Sequence, residues 1–282
     1  MSERTAKALH PALRDDIGDL VTRRPLPGPG IEGLDPFLFL NHHGPQTYPP
    51  GNHGLPFGPH PHRGFETVTF ILEGSLAHRD TGGHESIIRA GGVQWMTAGR
   101  GLVHAEISPP EFLREGGPLE ILQLWVNLPA RLKMTDPAYT GLQADAIPDF
   151  PLDDGRVSVE AVSGDWGPVS GPFRSLTGIA MAVLRMAAGG EALLPAPHGR
   201  AVFLYVVRGA VRVGGMPALA FNLVELNDDG DEIALSAEAD AVILLGHAEP
   251  IGEPVVTQGP FVMNTQEEIR QAMRDYRAGL FG

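Results

Sequence analysis

Apolar residues in this chain fall in short runs separated by turn residues. Val, Ile, Leu and Phe dominate Thr67–Leu72, Ser86–Arg89, Val93–Thr97, Leu119–Leu128, Val157–Val162, Leu176–Met186, Ala201–Val207, Ala210–Val213 and Ala241–Leu245. Runs of that length, bounded by Gly, Pro, Asp or Asn, read as strands. Gly74, Gly82–Gly83, Gly91–Gly92, Gly99, Gly209 and Gly214–Gly215 punctuate them, as glycine does where a turn needs positive φ. The pattern predicts an all-β chain of sandwich or barrel type. One segment departs from it. Thr265 followed by Glu268 fits a capping box, and Ile269, Met273, Tyr276 and Leu280 recur at helical spacing. They predict an amphipathic helix over 266–278.

Two stretches are internally related: Gly58–Gly74 (GPHPHRGFETVTFILEG) and Leu193–Gly209 (LLPAPHGRAVFLYVVRG). Each is a Pro/His-rich turn, an apolar strand and a closing glycine. A duplicated β-domain is expected, with one copy in residues 1–138 and the other in 139–282. The proline-bearing, weakly patterned stretch Asp136–Asp154 is then the linker.

Composition narrows the chemistry. The 282 residues include 36 glycines and 26 prolines, a turn-rich balance with no collagen period. A net charge of −13 argues against binding nucleic acid directly. There is no cysteine, which removes disulfides, thiolate zinc sites and iron–sulfur clusters. Any metal must be held by His, Asp or Glu. Residues 1–16 carry charges and no apolar core, and the longest apolar run, near Ala241–Leu245, is strand-sized. The expectation is a cytoplasmic protein with no membrane partner.

Eight of the 11 histidines lie between His42 and His104: His42, His43, His53, His60, His62, His78, His84 and His104. The sharpest spacing is His60-Pro61-His62. Residues two apart on a strand share a face, so both imidazoles can converge on one point, and Glu66 has the same parity. His104-Ala105-Glu106 repeats the spacing with an imidazole and a carboxylate. Two such pairs on neighbouring strands would supply three nitrogens and one carboxylate, with positions left open on a six-coordinate ion. For the other histidines plainer readings compete. His84, beside Gly82–Gly83, reads as a solvated turn residue and His53 as a loop residue. His78 reads as a satisfied surface or core histidine. His42 and His43 read either as supports behind the site or as surface, and His198 and His247 lack a paired partner.

The runs HPHRGFETVTFILEG (60–74), GGVQWMTAGRGLVHAE (91–106) and EPVVTQGPFVMNTQEEIRQAM (253–273) resemble those of the pirin family of two-domain cupins. The resemblance covers most of the chain. It implies a bicupin, two antiparallel jelly-roll β-barrels packed face to face with a C-terminal helix, and metal in the N-terminal barrel alone. It carries the Fe(II) ligands onto His60, His62, His104 and Glu106, with Ni, Mn, Cu or Zn as other first-row candidates. General cupins often use the glutamate at the place of Glu66 as a ligand. Here Glu66 becomes a group behind the ligands or a base. Aligning Gly209 with Gly74 puts Pro195, Pro197 and Ala201 opposite His60, His62 and Glu66, so the second barrel is expected to be metal-free.

Some pirin-like proteins are similar to quercetin 2,3-dioxygenases, which implies a small aromatic substrate and O₂. Glu106, or alternatively Glu66, would then remove the substrate proton, and Phe57, Phe65, Trp95 and Met96 would line an apolar pocket or simply pack the core. The competing expectation is a non-enzymatic, iron-dependent redox-sensing regulator that acts through a protein partner. A sugar isomerase or epimerase ranks below both, and a monomer is expected.

Overall fold

The computed structural model describes residues 2–282 and divides the chain into two compact units. One comprises Arg14–Arg24, Phe37–Ala144 and Ile251–Gly282; the other comprises the opening segment through Leu13, Pro25–Pro36 and Asp145–Pro250. The crossing at 144/145 falls near the expected boundary, but the ends of the chain are exchanged between the units. The stretch read as a linker is instead largely built into the sheets. Ala138–Leu142 pairs with Val93–Thr97 in the first unit, and Asp149–Leu152 pairs with Val157–Ser163 in the second. Its prolines sit at or next to edge strands, where a missing N–H breaks no ladder.

Each unit is a seven-stranded antiparallel sheet facing a four-stranded one. In the first unit the large sheet runs Ala138–Leu142, Val93–Thr97, Phe65–Glu73, Gly117–Asn127, Phe37–Tyr48, Thr22–Leu26 and Leu13–Arg14. The small sheet runs Phe57–His62, Leu102–Ile107, Ser75–Asp80 and Glu85–Arg89. In the second unit the large sheet runs Ala6–Pro11, Asn222–Leu226, Ala201–Arg208, Ala241–Ala248, Ala180–Met186, Val157–Ser163 and Asp149–Leu152. Its small sheet runs Glu191–Pro195, Glu232–Ala237, Ala210–Val213 and Met216–Leu219. The orders correspond strand for strand. The edge place taken by Ala138–Leu142 in one unit is taken by Ala6–Pro11 in the other, which accounts for the exchanged start of the chain.

The closing glycines of the internal repeat are equivalent in geometry as well. Gly74 and Gly209 have φ of 83° and 84°. A Cβ would come within 2.6 Å of the Pro118 carbonyl oxygen at the first and 2.1 Å of the Asp240 carbonyl oxygen at the second. Both the backbone conformation and the close approach therefore require glycine.

The C-terminal helix spans Gln266–Arg277, with Thr265 accepting from the Glu268 amide. Its buried face is set by Ile269 and Ala272, with Met273 half-buried and Phe281, beyond the helix, completing the cluster. Tyr276 and Leu280, expected on that face, are exposed. The chain leaves the helix after Arg277, so Leu280 does not continue the stripe. Among the described residues no helix is long and apolar enough to cross a membrane.

Candidate metal centre

The first unit brings three imidazoles together. The ligand-capable nitrogens of His60, His62 and His104 lie within 4.8 Å of one another, because His104 sits directly opposite His60 on the paired strand. Ring centroids are 4.4 Å apart for His60–His104 and 4.9 Å for His62–His104. His62 and His104 are buried and His60 is half-buried, so the cluster opens toward solvent on the His60 side.

Local hydrogen bonds choose which nitrogen faces the cluster. His60 Nδ1 is 2.7 Å from the Gly58 carbonyl and His62 Nδ1 is 3.4 Å from the Pro260 carbonyl. A carbonyl only accepts, so both protons sit on Nδ1 and both Nε2 lone pairs are open. Burial pushes His62 down to about 3, with the nearby His60 adding to it, and holds His104 well below the ordinary imidazole value. Both rings are therefore neutral, the state a metal ligand requires. Neither nitrogen of His104 has a hydrogen-bond partner although both are buried. Leaving such atoms unpaired is costly, and a cation between the three rings would take up the one that carries the lone pair. The residues present fit a divalent first-row ion.

Glu106 stands on the same inward face of Leu102–Ile107 as His104 but outside the three-imidazole cluster. Its Oε1 accepts from Thr69 Oγ1 at 3.1 Å and Gln94 Nε2 at 2.5 Å, and its Oε2 accepts from Gln123 Nε2 at 2.5 Å. A carboxylate offers about four lone-pair sites. Three are taken, so one on Oε2 is open for a metal or a substrate proton.

Glu66 is placed differently from the expectation. The strand carrying His60 and His62 ends at His62, and a new one starts at Phe65, so parity does not carry across Arg63–Gly64. On Phe65–Glu73, Thr69 faces Glu106, which puts Glu66 on the opposite face of that strand. There it accepts from Thr97 Oγ1 at 2.6 Å, and burial raises its carboxyl to about 7. Trp95 lies on that same far face, odd in register with Gln94, and so does not line the imidazole cluster. Phe65 does, with its ring 5.0 Å from His62, and Trp125 joins it at 5.3 Å from His62. Met96 shares the face of Gln94, and Phe57 packs 5.2 Å from His43.

His42 and His43 are buried, not on the surface. His42 pairs with Glu120 at 2.9 Å, and His43 Nδ1 meets Thr22 Oγ1 at 2.9 Å. His53 is exposed. His84 is 46% exposed and leans on Asp80, as a turn histidine should. His198 is exposed beside Asp228.

Further residues surround the site, among them His78, which takes the core place of its two expected ones. His78 lies opposite Glu106, and Asp80 opposite His104. The His78 ring is 5.4 Å from His104, stacks on Tyr139 at 4.0 Å, and pairs through Nε2 with Asp80 at 3.0 Å. Tyr139 donates to Gln94 Oε1 at 3.1 Å and so steadies one of the amides on Glu106. The signal was present: Gln94 and Gln123 are lone amides in otherwise apolar strands, and His78-x-Asp80 repeats the two-residue spacing of the other pairs.

A seven-stranded sheet facing a four-stranded one, with inward imidazoles from adjacent strands, defines a cupin. Residues 19–126 match the family described as Pirin, and residues 181–282 match the Pirin C-terminal cupin domain. The chain belongs to the pirin family. A pirin-like protein of Caulobacter vibrioides is 40% identical over 272 residues, covering 95% of this chain and 94% of that one. A crystal structure of quercetin 2,3-dioxygenase from Acinetobacter baumannii matches with a TM-score of 0.93 at 34% identity, covering 100% of this chain and 99% of that one. A bacterial pirin from Escherichia coli, solved in complex with nickel(II), shares the fold at a TM-score of 0.68 and 22% identity, over 86% of this chain and 99% of that one.

Proposed function

We propose that this chain is an Fe(II)-dependent dioxygenase that opens the central ring of quercetin or a related flavonol. The observation that carries the reading is the buried, neutral trio His60, His62 and His104 beside a carboxylate with a single open lone pair. The likeness to a structure described as quercetin 2,3-dioxygenase supports the substrate class. A bound Fe(II) supplies Lewis acidity toward the flavonol 3-hydroxyl and a redox partner for O₂. The three imidazoles would hold the ion. Glu106, turned to the site and fixed by Thr69, Gln94 and Gln123, takes the 3-hydroxyl proton on Oε2. Phe65 and Trp125, in contact with His62, present flat apolar walls for an aromatic substrate. Both atoms of O₂ end in the ring-opened product, and carbon monoxide leaves with the carbon and oxygen of the flavonol 3-position, so no outside reductant is consumed.

The test is to load the purified chain with Fe(II), add quercetin and follow O₂ uptake, carbon monoxide release and loss of flavonol absorbance. Glu106→Gln is expected to slow turnover by about 100-fold, as loss of a positioned base does, while the protein stays folded. Absence of turnover with Fe, Ni, Mn and Cu alike would discard the enzyme reading. A protein partner recovered in only one iron oxidation state would then establish the regulator instead.

A further inference from the structure

The second barrel carries a cavity at the place that corresponds to the wall of the first barrel's metal centre formed by His62, Phe65 and Trp125. The internal repeat relates residue numbers by a shift of 135, so His62, Phe65 and Thr67 correspond to Pro197, Arg200 and Val202. Cross-strand register extends the correspondence. Thr67 lies opposite Trp125, and Val202 lies opposite His247, so His247 takes the place of Trp125. In the first barrel His62, Phe65 and Trp125 touch one another ring to ring. Their counterparts Pro197, Arg200 and His247 all line one cavity of about 530 Å³, together with Phe173, Arg174 and Ile179. The place has lost its metal ligands and acquired cationic donors.

Those donors are arranged in advance. Arg200 Nε donates to His247 Nδ1 at 2.7 Å, and one terminal nitrogen donates to the Gly178 and His247 carbonyls. These bonds lock the guanidinium in place. Its other terminal nitrogen has only Glu249 at 3.8 Å, and that carboxylate is 80% exposed. Because His247 Nδ1 accepts, the ring proton sits on Nε2. That N–H is buried, so the donor of this pair that a ligand can reach is the second terminal nitrogen of Arg200. Arg174 is exposed at the rim and makes no hydrogen bond or ion pair with any described residue. Opposing these, Asp165 also lines the cavity and accepts from Ser170 Oγ at 2.5 Å. Asp165 in the lining and the exposed Glu249 offset part of the charge of the two guanidiniums, so the site favours no more than a single negative charge on its ligand. Phe173, Ile179 and Pro197 favour an apolar body behind it, and the volume suits a small organic molecule.

We propose that the second barrel is a ligand-binding domain whose cavity takes a small organic monocarboxylate, held by Arg200 and Arg174, with His247 fixing the Arg200 guanidinium. The site is separate from the metal centre in sequence and in chemistry.

The test is calorimetric titration of the full chain with benzoate, and separately with inorganic phosphate, alongside nitrogen-15 spectra of the His247 ring. One benzoate is expected to bind saturably, to shift the His247 resonances, and to bind equally well to His62→Ala, in which the metal centre is disabled. Arg174→Ala, an exposed position that folding does not depend on, is expected to weaken benzoate about tenfold, as loss of a charged hydrogen bond does. Arg200→Lys is expected to weaken it further, because a lysine cannot hold the forked arrangement. The proposal is overturned by any of four results: no saturation by about 10 mM benzoate, well beyond the range of a useful site; binding unchanged in Arg174→Ala; binding abolished by His62→Ala; or phosphate binding more tightly than benzoate.

Discussion

The two barrels share one order of strands and differ in what fills them. In the first, inward positions on facing strands carry Thr69, Gln94 and Gln123 hydrogen-bonded around Glu106, with His78 paired to Asp80 and His104 beside them. In the second, the equivalent space is packed with Val159, Leu184, Leu204, Val206, Ile233, Ile243 and Leu245, all buried in one apolar cluster. The lesson concerns cost. A polar interior is tolerable only where each group finds a partner, and the unpaired nitrogens of His104 are the place where the first barrel still needs an ion. Among the described residues of the second barrel, Ser163 Oγ and His247 Nε2 are buried without a partner, and neither stands in a cluster of ligand-capable groups.

The contrast can be broken most forcefully at the metal centre. His104→Ala is expected to lower metal affinity by at least about 100-fold, the upper range for loss of a group that merely supports a ligand, whereas His247→Ala leaves metal content unchanged. Elemental analysis and chelator competition of both variants decide it. Equal loss in the two would erase the distinction between the barrels.

The next effect separates the two faces of a single sheet. Glu66 is raised from 4.5 to about 7 by burial, so the folded protein keeps a proton that the unfolded chain releases. Its contribution to stability is complete below about pH 4.5 and is lost as pH rises to 7. Glu66→Gln keeps an acceptor for Thr97 and removes that loss, for a gain of up to about 3 kcal/mol above pH 7 and none below 4.5. Metal affinity should not move. Denaturant unfolding across pH measures the first, and a metal titration that did shift would place Glu66 in the site after all.

A titration of the opposite sign tests the second barrel. His247 is lowered from 6.5 to about 3 by burial, with Arg200 and Arg4 adding to it. Its unfolded form therefore takes up a proton first as the solution is acidified. Stability is whole above pH 6.5 and declines toward pH 3, by about 1.4 kcal/mol per pH unit for one such imidazole. His247→Gln is expected to flatten that slope by about one proton. His43, lowered to about 3 in the first barrel, provides the matching control, and an unchanged slope in both variants would refute the assignment.

The smallest effect lies at the C-terminal helix, whose unit also holds the Pro260 carbonyl behind His62. Thr265→Ala removes the cap on Glu268 N and is expected to cost about 1 kcal/mol. The loss should appear in the unfolding of the first unit and leave exchange protection in Ala241–Ala248 intact.

Much of this was legible along the chain. Val93–Thr97 and Ala210–Val213 were bounded to the residue, and the two closing glycines marked the duplication, because β-alternation and positive φ are local properties. The convergence of His60, His62 and His104 followed from two-residue spacing on strands that turned out to be neighbours. The same spacing rule failed for Glu66, since one turn at Arg63–Gly64 resets parity. It also says nothing of Gln94 and Gln123, since a polar residue in an apolar strand has no meaning until its cross-sheet neighbour is known.

What the amino-acid order determined by itself was therefore the strand content, the repeat, the capped helix and the residue types able to hold a metal, all set by interactions within a few positions. Only the tertiary structure decided which face each side chain takes, that Ala6–Pro11 completes the second sheet, and that Pro197, Arg200 and His247 meet around one cavity. Those outcomes depend on register between strands far apart in the chain, and register is set by how whole sheets bury their faces.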